Sequence, residues 1–239
     1  MNIFIRTLLY FCFLVGIAGA SDLQQQQSTL YPYKSIIEIQ DDFLAGINTN
    51  GNIGMGWGFA GGSVTYIASE VNRFGIIRRD TSAVAGTISR LDLNVVTGSL
   101  IDSANSQRHV YAVRLVQNDT DTAVRIGPVS ASFSNPPANG MFFEKLYADT
   151  NWFCVNRSAG VQTRTDTGIA IDVNFHDFEI ARNSSGVVYK IDGTPTACGT
   201  QNTNIPTVMI DPTLQIINQS AASKLIDIDY YQLSISVSR

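Results

Sequence analysis

A chain of 239 residues with only 15% charged side chains and a formal net charge of −4 carries no basic field to hold a nucleic-acid backbone or an anionic membrane surface. Its 44% hydrophobic content is enough to build a core, and its length fits one large β domain or two small domains.

In chain order, Arg6 closes a short basic start, residues 7–17 are almost all apolar, and Ala18-Gly19-Ala20 has the small-x-small form that signal peptidase accepts. A signal peptide over 1–20, cleaved after Ala20, is expected, and with it a secreted protein. The apolar run is shorter than the about 20 residues that span a bilayer, so no membrane insertion is expected after cleavage. Residues 21–36 are polar, contain a four-glutamine run and show no period, which reads as a flexible lead-in. A single domain is expected over 37–239.

Within that domain, short β runs are cut by Gly, Asn, Asp and Pro. They fall at 56–60, 63–69, 74–79, 87–96, 109–117, 122–129 and 141–147, then at 151–157, 161–166, 172–182, 186–191, 195–200, 213–218 and 225–237. No stretch repeats apolar residues at helical spacing over three turns. Turn residues such as Asn118-Asp119-Thr120-Asp121, Ala138-Asn139-Gly140 and Asp192-Gly193 separate consecutive runs, so neighbours in sequence should mostly pair antiparallel. These observations imply an all-β fold: a two-sheet antiparallel β-sandwich in one domain.

Side-chain alternation predicts which residues face the core. In the last run, Ile226, Ile228 and Tyr230 should point inward and Asp227, Asp229 and Tyr231 toward water or a cleft. In the hairpin of 151–166, Gln162, Arg164 and Asp166 alternate with Val161, Thr163 and Thr165 and are assigned to solvent. Trp57 and Trp152 suit either the core or a sugar platform, and large aromatics in such strands are more often core. His176 shares a face with Phe178 and reads as a satisfied core histidine.

Loss of the signal peptide removes Cys12 and leaves Cys154 and Cys198 in a chain bound for an oxidising compartment. Two buried thiols or a two-thiolate metal site are the alternatives. The only histidines, His109 and His176, lack zinc-like spacing, so a disulfide is expected and no metal or cofactor is. Asn118, Asn156, Asn183 and Asn218 each begin an Asn-x-Ser/Thr sequon and would be glycan acceptors in a eukaryotic host.

Five stretches taken together, "DDFLAGINTNGNIGMGWGFAGGSV" (41–64), "RFGIIRRDTSAVAGT" (73–87), "NGMFFEKLYADTNWFCVNRSAGVQTRTDTG" (139–168), "VVYKIDGTPTACGTQNTNIPT" (187–207) and "LQIINQSAASKLIDIDYYQL" (214–233), resemble a concanavalin A-like lectin/glucanase jelly roll of the type found in bacteriophage tail and structural proteins. The resemblance implies a jelly roll over about 41–235. A signal peptide and the Cys154/Cys198 pair depart from that phage pattern and point to a secreted relative, or to a virion protein that passes through a secretory pathway.

Glucanases on this fold resemble one another in a Glu-x-Asp-x-(x)-Glu strand whose carboxylates stand about 5–5.5 Å apart for retention, and no stretch here matches it. Asp227/Asp229 and Asp177/Glu179 have same-face spacing but read as solvated strand faces. The Arg/Glu, Gln-x-His and Tyr-x-Lys strands of alginate lyases are also incomplete: Gln107-Arg108-His109 has the second spacing, but "GIIRRD" matches the first only loosely and Lys145 lacks a Tyr two residues before it. Neither histidine accompanies a Gly-x-Ser-x-Gly nucleophile. The Gly-rich 51–62 segment lacks the Lys-Ser/Thr end of a phosphate loop, so its glycines read as turn glycines.

A binding surface remains, with Arg79, Tyr147, Arg125 and Trp57 as candidate carbohydrate contacts, because aromatic rings stack on sugar faces and planar polar groups pair with hydroxyls. The expected function is a secreted non-catalytic module that binds a glycan or cell-surface polysaccharide, or serves a surface or particle structure. The alternative is a polysaccharide-active enzyme with an unrecognised catalytic set. Self-assembly or a partner protein also suits the structural role.

Overall fold

Phe143 and Glu144 are adjacent in sequence and end on opposite faces of one strand, as the two-residue period of a strand requires. The Phe143 ring lies 5.1 Å from Phe178 and 5.2 Å from Tyr189, on strands of the opposing sheet, while Glu144 pairs with arginines on the far side. That division organises the whole sandwich.

The computed structural model describes residues 35–44, 54, 56–93, 101–102, 106–130 and 135–237. The signal-peptide reading and most of the lead-in lie outside them. The first eight strands are β1 (Ser35–Asp41), β2 (Gly58–Ala60), β3 (Ser63–Tyr66), β4 (Ile77–Asp80), β5 (Ile88–Asp92), β6 (Ile101–Asp102), β7 (Ser106–Leu115) and β8 (Thr122–Val129). Then follow β9 (Gly140–Lys145), β10 (Asn151–Ser158), β11 (Val161–Ala170), β12 (His176–Asn183), β13 (Gly186–Ile191), β14 (Thr194–Gln201), β15 (Met209–Asn218) and β16 (Leu225–Val237).

No helix occurs among the described residues. One sheet runs β14-β13-β12-β7-β16-β4-β3 with β1 beside β16; the other runs β11-β10-β9-β8-β15-β5-β2 with β6 beside β15. Every pairing with a stated register is antiparallel, as the turn chemistry predicts. Glu38–Ile235 form one compact unit.

Aromatic rings fill the space between the sheets. Trp152 meets Phe178 at 4.7 Å, and Trp57 and Tyr111 meet Tyr231 at 5.1 and 4.8 Å. Both tryptophans are buried, so both serve the core. His109 is fully buried beside them, and burial pushes its pKa down to about 3. As a neutral imidazole it bonds the Tyr231 hydroxyl at 2.9 Å and Gln107 Oε1 at 2.7 Å.

Four local expectations change. Strand β1 begins at Ser35, inside the segment read as lead-in, and β6 is too short to show a period. Residues 172–175 are a turn, and β12 begins at His176. In β16 the alternation changes phase after Ile228: Tyr231, not Tyr230, enters the core, because a slip of one residue reverses every later side chain.

Asp227 and Asp229 are also not a wet row. Arg78 chelates Asp227 at 2.6 and 2.9 Å, Arg114 adds a contact at 2.8 Å, and Arg73 holds Asp229 at 2.6 Å. Glu179 is likewise covered by Arg108 and Lys190.

Cys154 and Cys198 form the expected disulfide, with Cα atoms 6.4 Å apart. Cys154 lies on the inner face of β10 and Cys198 on β14, so the bond ties the two sheets together where the edge strands β11 and β14 end them. Thr163–Thr203 and Asn204–Thr163 hydrogen bonds, at 2.7 and 3.0 Å, close the same margin.

His176 sits half-buried at the start of β12, with Nδ1 2.7 Å from Asp192 and Nε2 3.0 Å from Asp172. Burial disfavours its charged form, but the hydrogen bonds and charges of the two aspartates outweigh this and hold its pKa above 6.5. A raised folded-state pKa contributes stability that is complete below the unfolded value of about 6.5 and is lost as pH rises through the folded value. The stability advantage of the native chain over His176→Gln should therefore be largest near about pH 6 and shrink by about pH 9, as read by melting temperature at both values. An advantage independent of pH would show that the charge contributes nothing.

Candidate functional site

The face of the second sheet turned away from the core carries an unbroken line of side chains. Register places Asp166 (β11), Phe153 (β10), Glu144 (β9), Arg125 (β8), Gln215 (β15) and Arg90 (β5) side by side across six strands. A second line contains Gln162, Arg157, Gly140, Val129 and Asp211. Strand periodicity puts these residues on one face because each is an even number of positions from its neighbours along its strand.

Ion pairs stitch the first line together. Arg125 Nε donates to Glu144 Oε1 at 2.9 Å, and its Nη1 donates to Gln215 Oε1 and Asn135 Oδ1, each at 2.8 Å. Arg164 Nε donates to Glu144 Oε2 at 2.8 Å, and Arg164 Nη2 reaches Asp149. Both Glu144 oxygens are therefore held by guanidinium groups, and Glu144 itself is 2% exposed. Farther along, Arg90 pairs with Asp92 at 2.8 Å. Burial lowers the pKa of Arg90 and raises that of Asp92, in each case against the pull of the partner.

The line has a closed part and an open part. A small depression lined by Arg90, Arg125, Thr213 and Gln215 is bounded by Pro137, which is buried. Toward the β11 edge the side chains emerge: Gln162 and Asp166 are exposed, and Phe153, Arg157 and Arg164 are half-buried. The Arg164 guanidinium carbon lies over Phe153, 3.5 Å from the ring centroid, within cation–π range. Asn151 Nδ2 reaches both Asp166 oxygens at 3.1 Å. The open part thus presents an aromatic ring capped by a guanidinium and flanked by amide and carboxylate groups.

Three of the four expected carbohydrate contacts are buried, and two of them, Arg79 and Trp57, point between the sheets. Arg79 is 1% exposed, and burial pushes its pKa down to about 10. Its Nη1 donates to the Ser63 carbonyl at 3.0 Å, and its Nη2 sits among the carbonyls of Ala60, Gly61 and Arg90 and the Ser89 hydroxyl. It is a clamp between β4, the β2–β3 turn and β5. That turn needs glycine: a Cβ on Gly61 or Gly62, both at positive φ, would meet a carbonyl oxygen at 2.0 or 1.6 Å.

Trp57 is 1% exposed, its rings packed against Phe43 and Tyr231. An alternating strand pattern does not say which face is inward, and both residues proved to point in. Tyr147 is half-buried after β9, its hydroxyl accepting from Gln219 Nε2 at 2.7 Å, apart from the line described above. Arg125 alone of the four joins it.

The hairpin row assigned to solvent divides. Gln162 and Asp166 are exposed, but Arg164 is engaged by Glu144, Asp149 and Phe153. Sequence reasoning passed over Glu144, Arg90 and Gln215. The available signal was a lone Arg125 in the apolar run "TAVRIGPV" and a lone Glu144 in "GMFFEK", opposite charges on two strands joined by one connection.

Among the sequons, Asn118 and Asn183 are exposed, whereas Asn156 and Asn218 are fully buried. Among the described residues no three His, Cys, Asp or Glu side chains group as a metal site.

No protein-family model matches the chain, and no curated protein matches it. Solved structures do. A β-glucanase of Bacillus licheniformis superposes with a TM-score of 0.54 at 13% identity, covering 84% of this chain and 98% of that one. The Crh5 transglycosylase in complex with NAG superposes with a TM-score of 0.56 at 13% identity, covering 84% of each chain.

The fold is the concanavalin A-like jelly roll of glucanases. A protein of Shewanella oneidensis MR-1, described as of unknown function, has the same jelly roll, with a TM-score of 0.57 at 14% identity over 86% of this chain and 88% of that one. At such identities the likeness carries the fold alone.

Proposed function

We propose that the protein is a secreted, non-catalytic jelly-roll module that binds a glycan on the outer face of its second sheet, through the open end of the line at Phe153, Arg164, Gln162 and Asp166. The observation that carries this reading is the line itself: an aromatic ring and planar hydrogen-bonding groups in register on one face, held by ion pairs with the buried Glu144 and Arg125. Such groups stack on sugar faces and pair with hydroxyls. The disulfide supports an oxidising compartment, hence secretion.

The non-catalytic part rests on the state of the acids. Glycosidic cleavage requires one carboxyl to donate a proton and another to attack or activate water, but Glu144 is tied to two arginines and Asp92 to Arg90. One observation favours the alternative of a polysaccharide-active enzyme: Glu144 and Asp149 flank the same Arg164 guanidinium, so two carboxylates stand near one another.

A glycan array on the mature protein should show retention. Phe153→Ala or Gln162→Ala should weaken it about tenfold each, about 1.4 kcal/mol, as expected for one stacking or paired contact. Tyr147→Ala should leave it unchanged. Retention unaffected by the Phe153 and Gln162 changes would reject this face, and reducing sugar released from a polysaccharide would select the enzyme.

A further inference from the structure

We infer that Asn183 is the sequon able to carry an N-linked glycan on the folded protein, and that Asn156 and Asn218 are structural amides whose modification the fold excludes. The four sequons are equivalent as sequence, and the tertiary structure separates them by what each amide nitrogen does.

Asn218 is 0% exposed, and its Nδ2 lies 2.9, 3.0 and 3.4 Å from the carbonyls of Ala222, Ser82 and Val84. It pins the turn after β15 to the segment between β4 and β5. Asn156 is also 0% exposed: its Nδ2 donates to the Thr203 carbonyl at 3.2 Å, and the Tyr189 hydroxyl lies 2.7 Å from its Oδ1. A sugar on either nitrogen would have to occupy close-packed protein interior, where even one extra methylene is felt.

Asn118 is exposed, but its Nδ2 donates to the Ile171 carbonyl at 2.9 Å and so holds the β7–β8 turn to the end of β11. Asn183 differs from all three. It lies in the tight β12–β13 connection with Ser184 and Ser185, all three exposed. The Ser185 backbone N–H donates to its Oδ1 at 2.8 Å, an Asx turn that uses the oxygen and leaves the nitrogen toward solvent.

The step is a glycosyl transfer from a lipid-diphosphate-linked oligosaccharide, the donor class of secretory N-glycosylation. Asn183 Nδ2 forms a bond to the anomeric carbon, the bond from that carbon to the phosphate oxygen breaks, and the lipid diphosphate leaves with the electron pair. One amide proton passes to solvent.

The test is secretion of the full chain from a eukaryotic cell line, with peptide mapping after enzymatic deglycosylation in heavy-oxygen water. The label is expected at residue 183 and absent at 156 and 218, and Ser185→Ala, which deletes that sequon at an exposed side chain, should abolish it. Ser158→Ala and Ser220→Ala delete the buried sequons while keeping both asparagines, and should leave the label at residue 183 in place. A label at residue 156 or 218 in secreted protein with its disulfide intact would overturn the inference, as would an unlabelled Asn183.

Discussion

Arg79→Ala is expected to destabilise the protein by about 3–5 kcal/mol, the range for removing one side of a buried charged contact. The guanidinium is 1% exposed and supplies hydrogen-bond donors to a ring of acceptors: the Ser63, Ala60, Gly61 and Arg90 carbonyls and the Ser89 hydroxyl. Alanine removes those donors from a dry interior, where the Gly61 carbonyl keeps only the Ser89 hydroxyl at 3.0 Å, and each group left orphaned costs about 1–3 kcal/mol in desolvation that is no longer offset. It also leaves the volume of a long side chain empty.

The loss should be read in urea unfolding as a lower midpoint with an unchanged slope, since the surface exposed on unfolding hardly changes. Arg79→Lys should recover only part of it, because one ammonium cannot place donors along both edges of a planar fork. A midpoint within experimental error of the native one would mean that the clamp carries no net stability, and that Arg79 is kept for some other reason.

Breaking the Cys154–Cys198 bond by a double change to alanine should cost about 4 kcal/mol in the chain-entropy model, given the separation of 44 residues. For a protein of this size that corresponds to a melting temperature lower by about 10 °C. The effect is large because of where the bond lies. It joins β10 of the second sheet to the edge strand β14 of the first, so the reduced chain can open the sandwich at one margin while the aromatic core between the sheets persists. Hydrogen exchange should therefore show β11 and β14 losing protection before β8 and β15. Equal melting temperatures for native and double-alanine proteins would show that the packing at this edge holds without the bond.

Much of the architecture was legible from residues alone. Runs such as 122–129, 186–191 and 225–237 carry the two-residue period and turn residues that make a strand, and eleven of the other thirteen strands overlap a predicted run, all but β1 and β6, because alternation is a local property written in neighbouring side chains. The cysteine pairing was legible for a different reason: removal of the expected signal peptide would leave two thiols, each with one possible partner.

The site was not legible, and Arg79, Arg125 and Tyr231 show why. Each sits in an alternating run, and alternation states that neighbours face opposite ways without stating which way is inward. Arg79, flanked by Arg78 and Asp80, faces the core, whereas Arg125, among apolar neighbours, faces out. A single slip in β16 after Ile228 reverses Tyr230 and Tyr231. The line from Asp166 to Arg90 joins residues from six strands that lie between positions 90 and 215 of the sequence, and only antiparallel register brings them side by side. Strand periods are set by the covalent backbone and could be read in advance; facing and register are set by which sheet buries which row, a long-range choice made when the two sheets pack.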